Sequence, residues 1–239
     1  MKKIAFITDI HLDEDDPKEA GVDSYLNWER LLQDVSTRNV DMIVFGGDIG
    51  AASAYPWLFQ SLQKYNYKFI LGNHDRFAND AGFYKDADLA ADDELYYSSE
   101  DATFKYIFMD TSTERVSAAQ FNWLNSQLAT DKTVVLFIHH PVLPVNTPVD
   151  RAYPLHGREA MLDALHNCGN KVYVFCGHYH MDDVQTNGNV TQYITPASSY
   201  QINKDAAQIE VSGTTFGYRL LTFANDRVEA ELLMFKNEL

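Results

Sequence analysis

Three short apolar runs near the start of the chain, each closing on a side chain able to hold a metal or a proton, constrain the fold more than any other feature. Lys3 to Thr8 runs into Asp9, Met42 to Phe45 into Gly46-Gly47-Asp48, and Phe69 to Leu71 into Gly72-Asn73-His74-Asp75. Between the first two runs, Tyr25 to Arg38 carries Trp28, Leu31, Leu32 and Val35 at three- and four-residue spacing, the stripe of a helix packed on one side. Between the second and third, Pro56 to Tyr65 carries Trp57, Leu58, Leu62 and Tyr65, with proline in the first turn where its missing N–H is not needed. Strands without polar alternation are buried on both faces. This βαβαβ order therefore predicts a mostly parallel sheet covered by helices. Ligands of such sheets bind beyond the carboxyl ends of the strands, where these polar residues fall.

The rest of the chain extends the pattern. Phe77 to Asp93 is rich in Ala and Asp without a clear period, and reads as an insertion of loop and helix turns. Leu95 to Ser98 and Thr103 to Met109 read as paired strands. Ser117 to Ala129 reads as a helix, with Ser117 and Gln120 as a capping box and Phe121, Leu124 and Leu128 as its buried stripe. Thr133 to Ile138 is a strand that delivers His139-His140, and a loop follows from Pro141 to Pro154. A helix over Gly157 to Asn167, stopped by Gly169, precedes the strand Lys171 to Cys176, which delivers Gly177-His178-Tyr179-His180. Two hairpins close the chain, Asp183–Thr186 with Val190–Thr195 and Tyr218–Phe223 with Val228–Phe235. The antiparallel C-terminal third predicts a second sheet packed on the first. No linker divides the 239 residues, so residues 1–239 read as one α/β domain.

Charge narrows the choice of partner. The formal net charge of −15 argues against a nucleic-acid backbone or an anionic membrane surface as the general partner, because both would be repelled. If the substrate is anionic, something other than Lys and Arg must supply local positive charge. Met1-Lys2-Lys3 opens like a signal peptide, but Asp9 and His11 break the apolar region, and no run is long enough to span a membrane. A cytoplasmic protein is expected. Cys168 and Cys176 fit no zinc or redox spacing and read as inert thiols.

The strand ends together present Asp9, His11, Asp48, Asn73, His74, Asp75, His139, His140, His178 and His180. Imidazole with carboxylate and no thiolate suits Fe, Mn, Zn or Co. The set is too large for one tetrahedral ion. It fits two ions about 3.5–4 Å apart sharing a carboxylate. In Asp9-x-His11, alternate side chains of an extended segment would point the same way and reach one ion; His178-x-His180 has the same parity, with a bend in that segment as the alternative that would let it serve different ions. Each residue also has a plainer reading. Asp9, Asp48 and Asn73 could each cap a helix, His140 beside Pro141 reads as structural, and Tyr179 as packing. Arg151, Arg158 and Arg219 read as salt-bridged or solvated, and the run Glu14-Asp15-Asp16 as a solvated loop. As a group, so many His and Asp residues at strand ends have no common packing reason.

Asp9-x-His11, Gly47-Asp48, Gly72-Asn73-His74-Asp75, His139-His140 and Gly177-His178-Tyr179-His180 resemble, in order, the signature of calcineurin-like metallophosphoesterases. Gln120-Phe121-x-Trp123-Leu124, Thr195-Pro196-Ala197-Ser198-Ser199, Gln201 and Gly217-Tyr218-Arg219 resemble the bacterial class III cyclic-nucleotide phosphodiesterase branch of that superfamily. After Asp48 stand Ile49-Gly50-Ala51-Ala52-Ser53, without the further acidic residue that many relatives carry there. The resemblance implies a four-layer α/β/β/α sandwich of two mixed β-sheets flanked by helices. It implies two divalent or mixed-valence transition-metal ions (Fe, Mn, Zn or Co), one held by Asp9, His11 and His180 and the other by Asn73, His139 and His178, with Asp48 bridging. His74 would contact the phosphate or protonate the leaving oxygen, with Asp75 orienting it, and a metal-bridging hydroxide would attack. The implied substrate is a small-molecule phosphodiester of cyclic-nucleotide or glycerophosphodiester type. A phosphomonoester is the alternative on the same site. A non-catalytic scaffold would be expected to have lost ligands, and none is lost here.

Overall fold

Apolar strands with no polar side need cover on both faces. The computed structural model, which describes residues 1–77, 81–83 and 93–237, supplies it with two stacked sheets and outer helices. In the first sheet β1 (Lys2–Ile7), β2 (Met42–Phe45) and β3 (Tyr67–Phe69) run parallel, with Ala5 opposite Ile43 and Phe45 opposite Phe69. The second sheet has β4 (Tyr97–Glu100) antiparallel at one edge, then β5 (Phe104–Phe108), β6 (Thr133–Phe137) and β7 (Val172–Cys176) in parallel.

The period of two along each strand divides the core. In the second sheet Phe108, Val135, Phe137 and Phe175 face the first sheet, where Phe6 meets Phe137 with ring centroids 5.6 Å apart. The alternate residues Val134, Leu136, Val172 and Val174 face outward with Leu124, Leu128, Met161 and Leu165. Those last four come from α4 (Ala118–Leu128) and α6 (Arg158–Asn167). Chain order before them is α1 (Asp15–Glu19), α2 (Ser24–Thr37) and α3 (Tyr55–Leu62), and a single turn α5 (Pro148–Ala152) stands between α4 and α6. Trp28, Leu31, Leu58 and Leu62 of α2 and α3 complete the first sheet's core. The α/β/β/α sandwich of two mixed sheets is thus present.

The C-terminal hairpins do not form a sheet of their own. β8 (Asp183–Asn187) and β9 (Val190–Ile194) join the second sheet, β9 lying parallel to β7. After the small ladder of β10 (Gln201–Ile202) and β11 (Val211–Ser212), β12 (Thr215–Ala224) pairs antiparallel with β1, and β13 (Arg227–Lys236) covers β12. The reason is edge protection. Each parallel core would otherwise end in a largely buried strand, and each hairpin instead offers a more exposed outer strand, with Arg227, Glu229 and Glu231 outward in β13 and Thr186 and Asn187 in β8.

Smaller differences have local causes. Pairing in the third strand stops at Phe69, and buried Ile70 and Leu71 carry the chain on to Gly72. The Pro141–Pro154 loop contains α5, started by Pro148 and by Thr147, whose hydroxyl accepts from Asp150 N. Ser117 caps α4 as expected, but Gln120 is buried and both donates to and accepts from the Asp110 backbone instead of closing a box. Phe121 is only partly buried in α4. Most of the predicted insertion Phe77–Asp93 lies outside the described residues. Among the described residues no helix is long and apolar enough to cross a membrane.

Candidate metal centre

The carboxyl ends of β1, β2 and β3 in one sheet and of β6 and β7 in the other meet at one edge of the sandwich. Backbone bonds zip the loops together: Asp9 N donates to Gly47 O (3.0 Å), His11 N to Asp48 O (3.1 Å) and Gly177 N to His139 O (3.0 Å). The approach is close enough to require glycine. A Cβ on Gly72 would run into the Asp48 carboxylate, and one on Gly177 into those of Asp9 and the side chain of Thr8.

Two clusters form at expected ligands, and a third group joins His11 to Glu14 and His74. Asp9, His11 and His180 present ligand atoms within 4.8 Å of one another, as do Asp48, His139 and His178. Asn73 opens on the same cleft, and its buried Oδ1 has no hydrogen-bond partner among the described residues. Asp48 lies between the clusters: its Oδ2 is 3.2 Å from His139 Nε2 and 3.6 Å from His11 Nε2, while its Oδ1 accepts from His74 N (2.9 Å). Among the described residues, Asp9, Asp48 and Asn73 cap none of the helices.

Ring orientation shows that these clusters suit cations. His180 Nδ1 faces Tyr200 O (3.0 Å), His139 Nδ1 faces Gly46 O (2.8 Å), and His11 Nδ1 faces a Glu14 carboxylate oxygen (2.7 Å). An acceptor opposite Nδ1 puts the ring proton there and leaves the Nε2 lone pair pointing inward. In that state His11 Nε2 and His180 Nε2 oppose lone pairs at 3.1 Å, and buried His139 Nε2 has no hydrogen-bond partner among the described residues. A proton on one atom of such a pair, or a metal ion between them, turns repulsion into attraction. His178 is reversed: its Nε2 faces Tyr153 O (3.0 Å), which leaves Nδ1 for a ligand role. The outer bonds are those that orient metal-binding histidines generally.

The electrostatics agree. Burial disfavours charge on His139, yet the Asp48 and Asp9 carboxylates raise its pKa to about 10. Against burial, the His180 and His139 imidazoles hold the Asp9 carboxyl down at about 2. Burial, followed by the charge on His139, lowers His178 to about 3. The Asp9 and Asp48 carboxylates favour positive charge between them in an acidic protein, as a metal-binding cluster requires.

His74 lines the cleft, with its Nδ1 3.0 Å from a Glu14 oxygen. That bond comes first among the influences raising its pKa to about 9. The expected Asp75–His74 pairing gives way to another arrangement. The Asp75 carboxylate accepts from the backbone N–H groups of Asp48 (2.7 Å), Ile49 (2.8 Å) and Gly72 (2.9 Å), fastening the β2 loop to the β3 loop. Burial and the nearby Asp48 charge push its pKa up to about 7. Asp75 therefore shapes the backbone that presents Asp48 and Asn73.

The expected spacing logic fails at its premise, and although Asp9 and His11 share a cluster, His178 and His180 fall in different ones. Asp9, His11, Asp48, His178 and His180 all have φ between 47° and 68°, the left-handed region, so neither Asp9-x-His11 nor His178-x-His180 is an extended segment. His140 stands outside both clusters; its Nδ1 meets Thr111 Oγ1 (2.9 Å) and its ring lies 4.0 Å from that of His178. Arg158 pairs with Asp150, Arg219 pairs with Asp182, and Arg151 bonds Asn146. Buried Tyr179 donates to Asp150 (2.7 Å), helping to seat the loop whose Tyr153 carbonyl holds His178. The sequence reading missed Glu14, hidden in an acidic run, although its position three residues after a candidate ligand was a usable signal. It also missed Tyr200 and the wall formed by Val149, Tyr153, Ile202, Ile209 and Val211, which comes from separate elements.

Two stacked mixed sheets with paired His/Asp clusters where the strand ends converge define a dinuclear metal-binding phosphoesterase class. The chain belongs to the calcineurin-like phosphoesterase family, whose model matches residues 2–182. It is similar to a probable cyclic nucleotide phosphodiesterase of Fibrobacter succinogenes, 25% identical over 237 residues that cover 96% of this chain and 93% of that one. It is also similar to the glycerophosphodiester phosphodiesterase GpdQ of Enterobacter lignolyticus, 27% identical over 68% of this chain and 64% of that one. Among solved structures, a dimetal phosphatase from Danio rerio shares the fold at a TM-score of 0.66 and 14% identity, covering 97% of this chain and 95% of that one. The GAP50 anchor of the Plasmodium inner membrane complex does so at 0.70 and 14%, covering 97% and 84%. Such distant likeness concerns the fold, so chemistry has to be argued from the site.

Proposed function

We propose that this protein is a dinuclear metal-dependent phosphodiesterase acting on a small-molecule phosphodiester. The observation that carries this reading is the pair of His/Asp clusters flanking Asp48 and opening, with Asn73 and His74, on one cleft of about 330 Å³. In this reading Asp9, His11 and His180 hold one ion, Asn73, His139 and His178 the second, and Asp48 bridges. Two such ions, when bound, polarise a phosphoryl oxygen and lower the pKa of water toward neutrality. The chain's own part is to orient. His74 faces the cleft as the group that bonds the phosphate or gives a proton to the leaving oxygen, and Asp75 fixes the loops behind it.

The cleft wall favours a diester over a monoester. Among the described residues no Lys or Arg lines it, Asp16 adds a negative charge at its edge, and Val149, Tyr153, Ile202, Ile209 and Val211 form an apolar wall. A dianionic terminal phosphate would gain no cationic side chain there, whereas a singly charged diester can lay its second ester group on that surface. The likeness to probable cyclic nucleotide phosphodiesterases and to GpdQ supports the same class. The test is turnover of aryl phosphodiester and phosphomonoester by protein reconstituted with Mn²⁺, Fe²⁺, Co²⁺ or Zn²⁺, followed by a panel of cyclic nucleotides and glycerophosphodiesters. Preference for the diester is expected. A consistent preference for the monoester would overturn the assignment.

A further inference from the structure

The acidic run after β1 contains one carboxylate that is not solvated charge. We propose that Glu14 is a positioning residue that sets the orientation and tautomer of His11 and His74 together, so that one side chain ties a metal-ligand histidine to the histidine facing the substrate. The proposal rests on the dinuclear phosphodiesterase reading above.

Glu14 Oε2 lies 2.7 Å from His11 Nδ1 and Oε1 lies 3.0 Å from His74 Nδ1, with the carboxylate 20% exposed. The two rings stand perpendicular with centroids 4.7 Å apart. Glu14 occupies the N-cap position of α1 in extended conformation, yet its side chain caps nothing and turns to the histidines. Asp13, at φ 61°, makes the bend before it. Its neighbours Asp15 and Asp16 remain in the exposed first turn of α1, so the run divides by geometry.

An ionised carboxylate only accepts, so both Nδ1 atoms must carry the ring proton in these bonds. His11 then presents an Nε2 lone pair toward His180 and Asp48, as a ligand requires, and His74 is held by the opposite end of its ring from Nε2. Glutamine breaks this arrangement without changing the shape. Its amide offers one acceptor and one donor, so one of the two rings must face an N–H and move its proton to Nε2. At His11 that blocks the ligand atom, and at His74 it releases the ring. Aspartate keeps the charge, but it is one methylene shorter and cannot hold both contacts without movement of the backbone.

The experiment uses E14A, E14Q, E14D and H74A in the full chain. Mn²⁺ titration by calorimetry and bound-metal analysis is paired with kcat and KM for aryl phosphodiesters whose leaving phenols differ in acidity. For E14A, which keeps neither contact, a weakening of one Mn²⁺ site by about 10- to 100-fold is expected, the range for lost outer partners of metal ligands. At saturating Mn²⁺, kcat of E14A should fall with KM little changed, more for the less acidic phenols, in the pattern shown by H74A, with E14D only partly restoring it, and E14Q should lose either the Mn²⁺ affinity or the leaving-group pattern. Wild-type Mn²⁺ affinity in E14A, wild-type behaviour of E14Q in both readouts, or a kcat loss independent of the leaving group while H74A shows that dependence, would overturn the proposal. If wild-type protein turns over no diester, the functional reading fails. The Mn²⁺ titration of E14A still decides whether Glu14 holds His11.

Discussion

At the scale of residues, the site is built from side chains in costly backbone conformations. Left-handed geometry at a non-glycine residue costs about 1–2 kcal/mol, and Asp9, His11, Asp48, His178 and His180 all adopt it. Such strain persists only where surroundings enforce it, here through bonds among the β1, β2, β6 and β7 loops. Three predictions belong at this scale. Asn73→Ala or His139→Ala should lower metal-dependent hydrolysis of an aryl phosphodiester by at least about a hundredfold with circular dichroism unchanged, since loss of an outer partner alone reaches that size. Asp75→Asn should destabilise the fold by about 1–3 kcal/mol in urea titration, because an amide N–H would face backbone donors that now meet a carboxylate oxygen. The third concerns protons. His139 is raised to about 10 by Asp48 and Asp9, so below that pH the ring is protonated and a metal must displace the proton. Affinity for the ion that His139 holds should therefore rise with pH through the neutral range, by about tenfold per unit for each proton released, and level off above about 10. Calorimetry in buffers of different ionisation enthalpy counts those protons.

At the scale of elements, hydrophobic period predicted most strands and helices, while partner choice escaped it. β6 shows the division: Val135 and Phe137 enter the space between sheets, while Val134 and Leu136 face the helices. A continuous apolar run reads as buried on both faces without saying which neighbour covers which. Phe137→Ala should cost about 3–5 kcal/mol, as a large core ring lost between two stacked sheets, measured by denaturant unfolding. Gln120 shows the converse limit. Its spacing from Ser117 matches a capping box, but burial beside the Asp110 backbone offered it two stronger bonds. The β10–β11 ladder consists of two-residue strands with no period to detect, yet it brings Ile202, Ile209 and Val211 to the cleft. Ile209→Asp should raise KM for an aryl phosphodiester and leave Mn²⁺ stoichiometry intact, because Ile209 is 42% exposed on the wall and belongs to neither cluster.

At the scale of the whole molecule, bound ions are expected to stabilise the convergence of the two sheets as well as to supply chemistry. The ligands come from both sheets, so ions that bind only the folded chain raise its stability by RT ln(1 + [L]/Kd), about 2.7 kcal/mol at a hundredfold excess over Kd. Chelation should lower the thermal midpoint, and His139→Ala should reduce that shift. An acidic surface is compatible with an anionic substrate if bound ions bring the positive charge locally, as the proposed function requires. Strand runs, helical stripes and the Asp, Asn and His residues at strand ends were legible in the linear chain, since each is written within a few consecutive residues. Which sheet each hairpin joins, the left-handed turns of the ligands, the backbone role of Asp75 and the reach of Glu14 to two histidines were not legible there. Each depends on contacts between segments far apart in the chain, and such contacts come into being only when the two sheets close on one another.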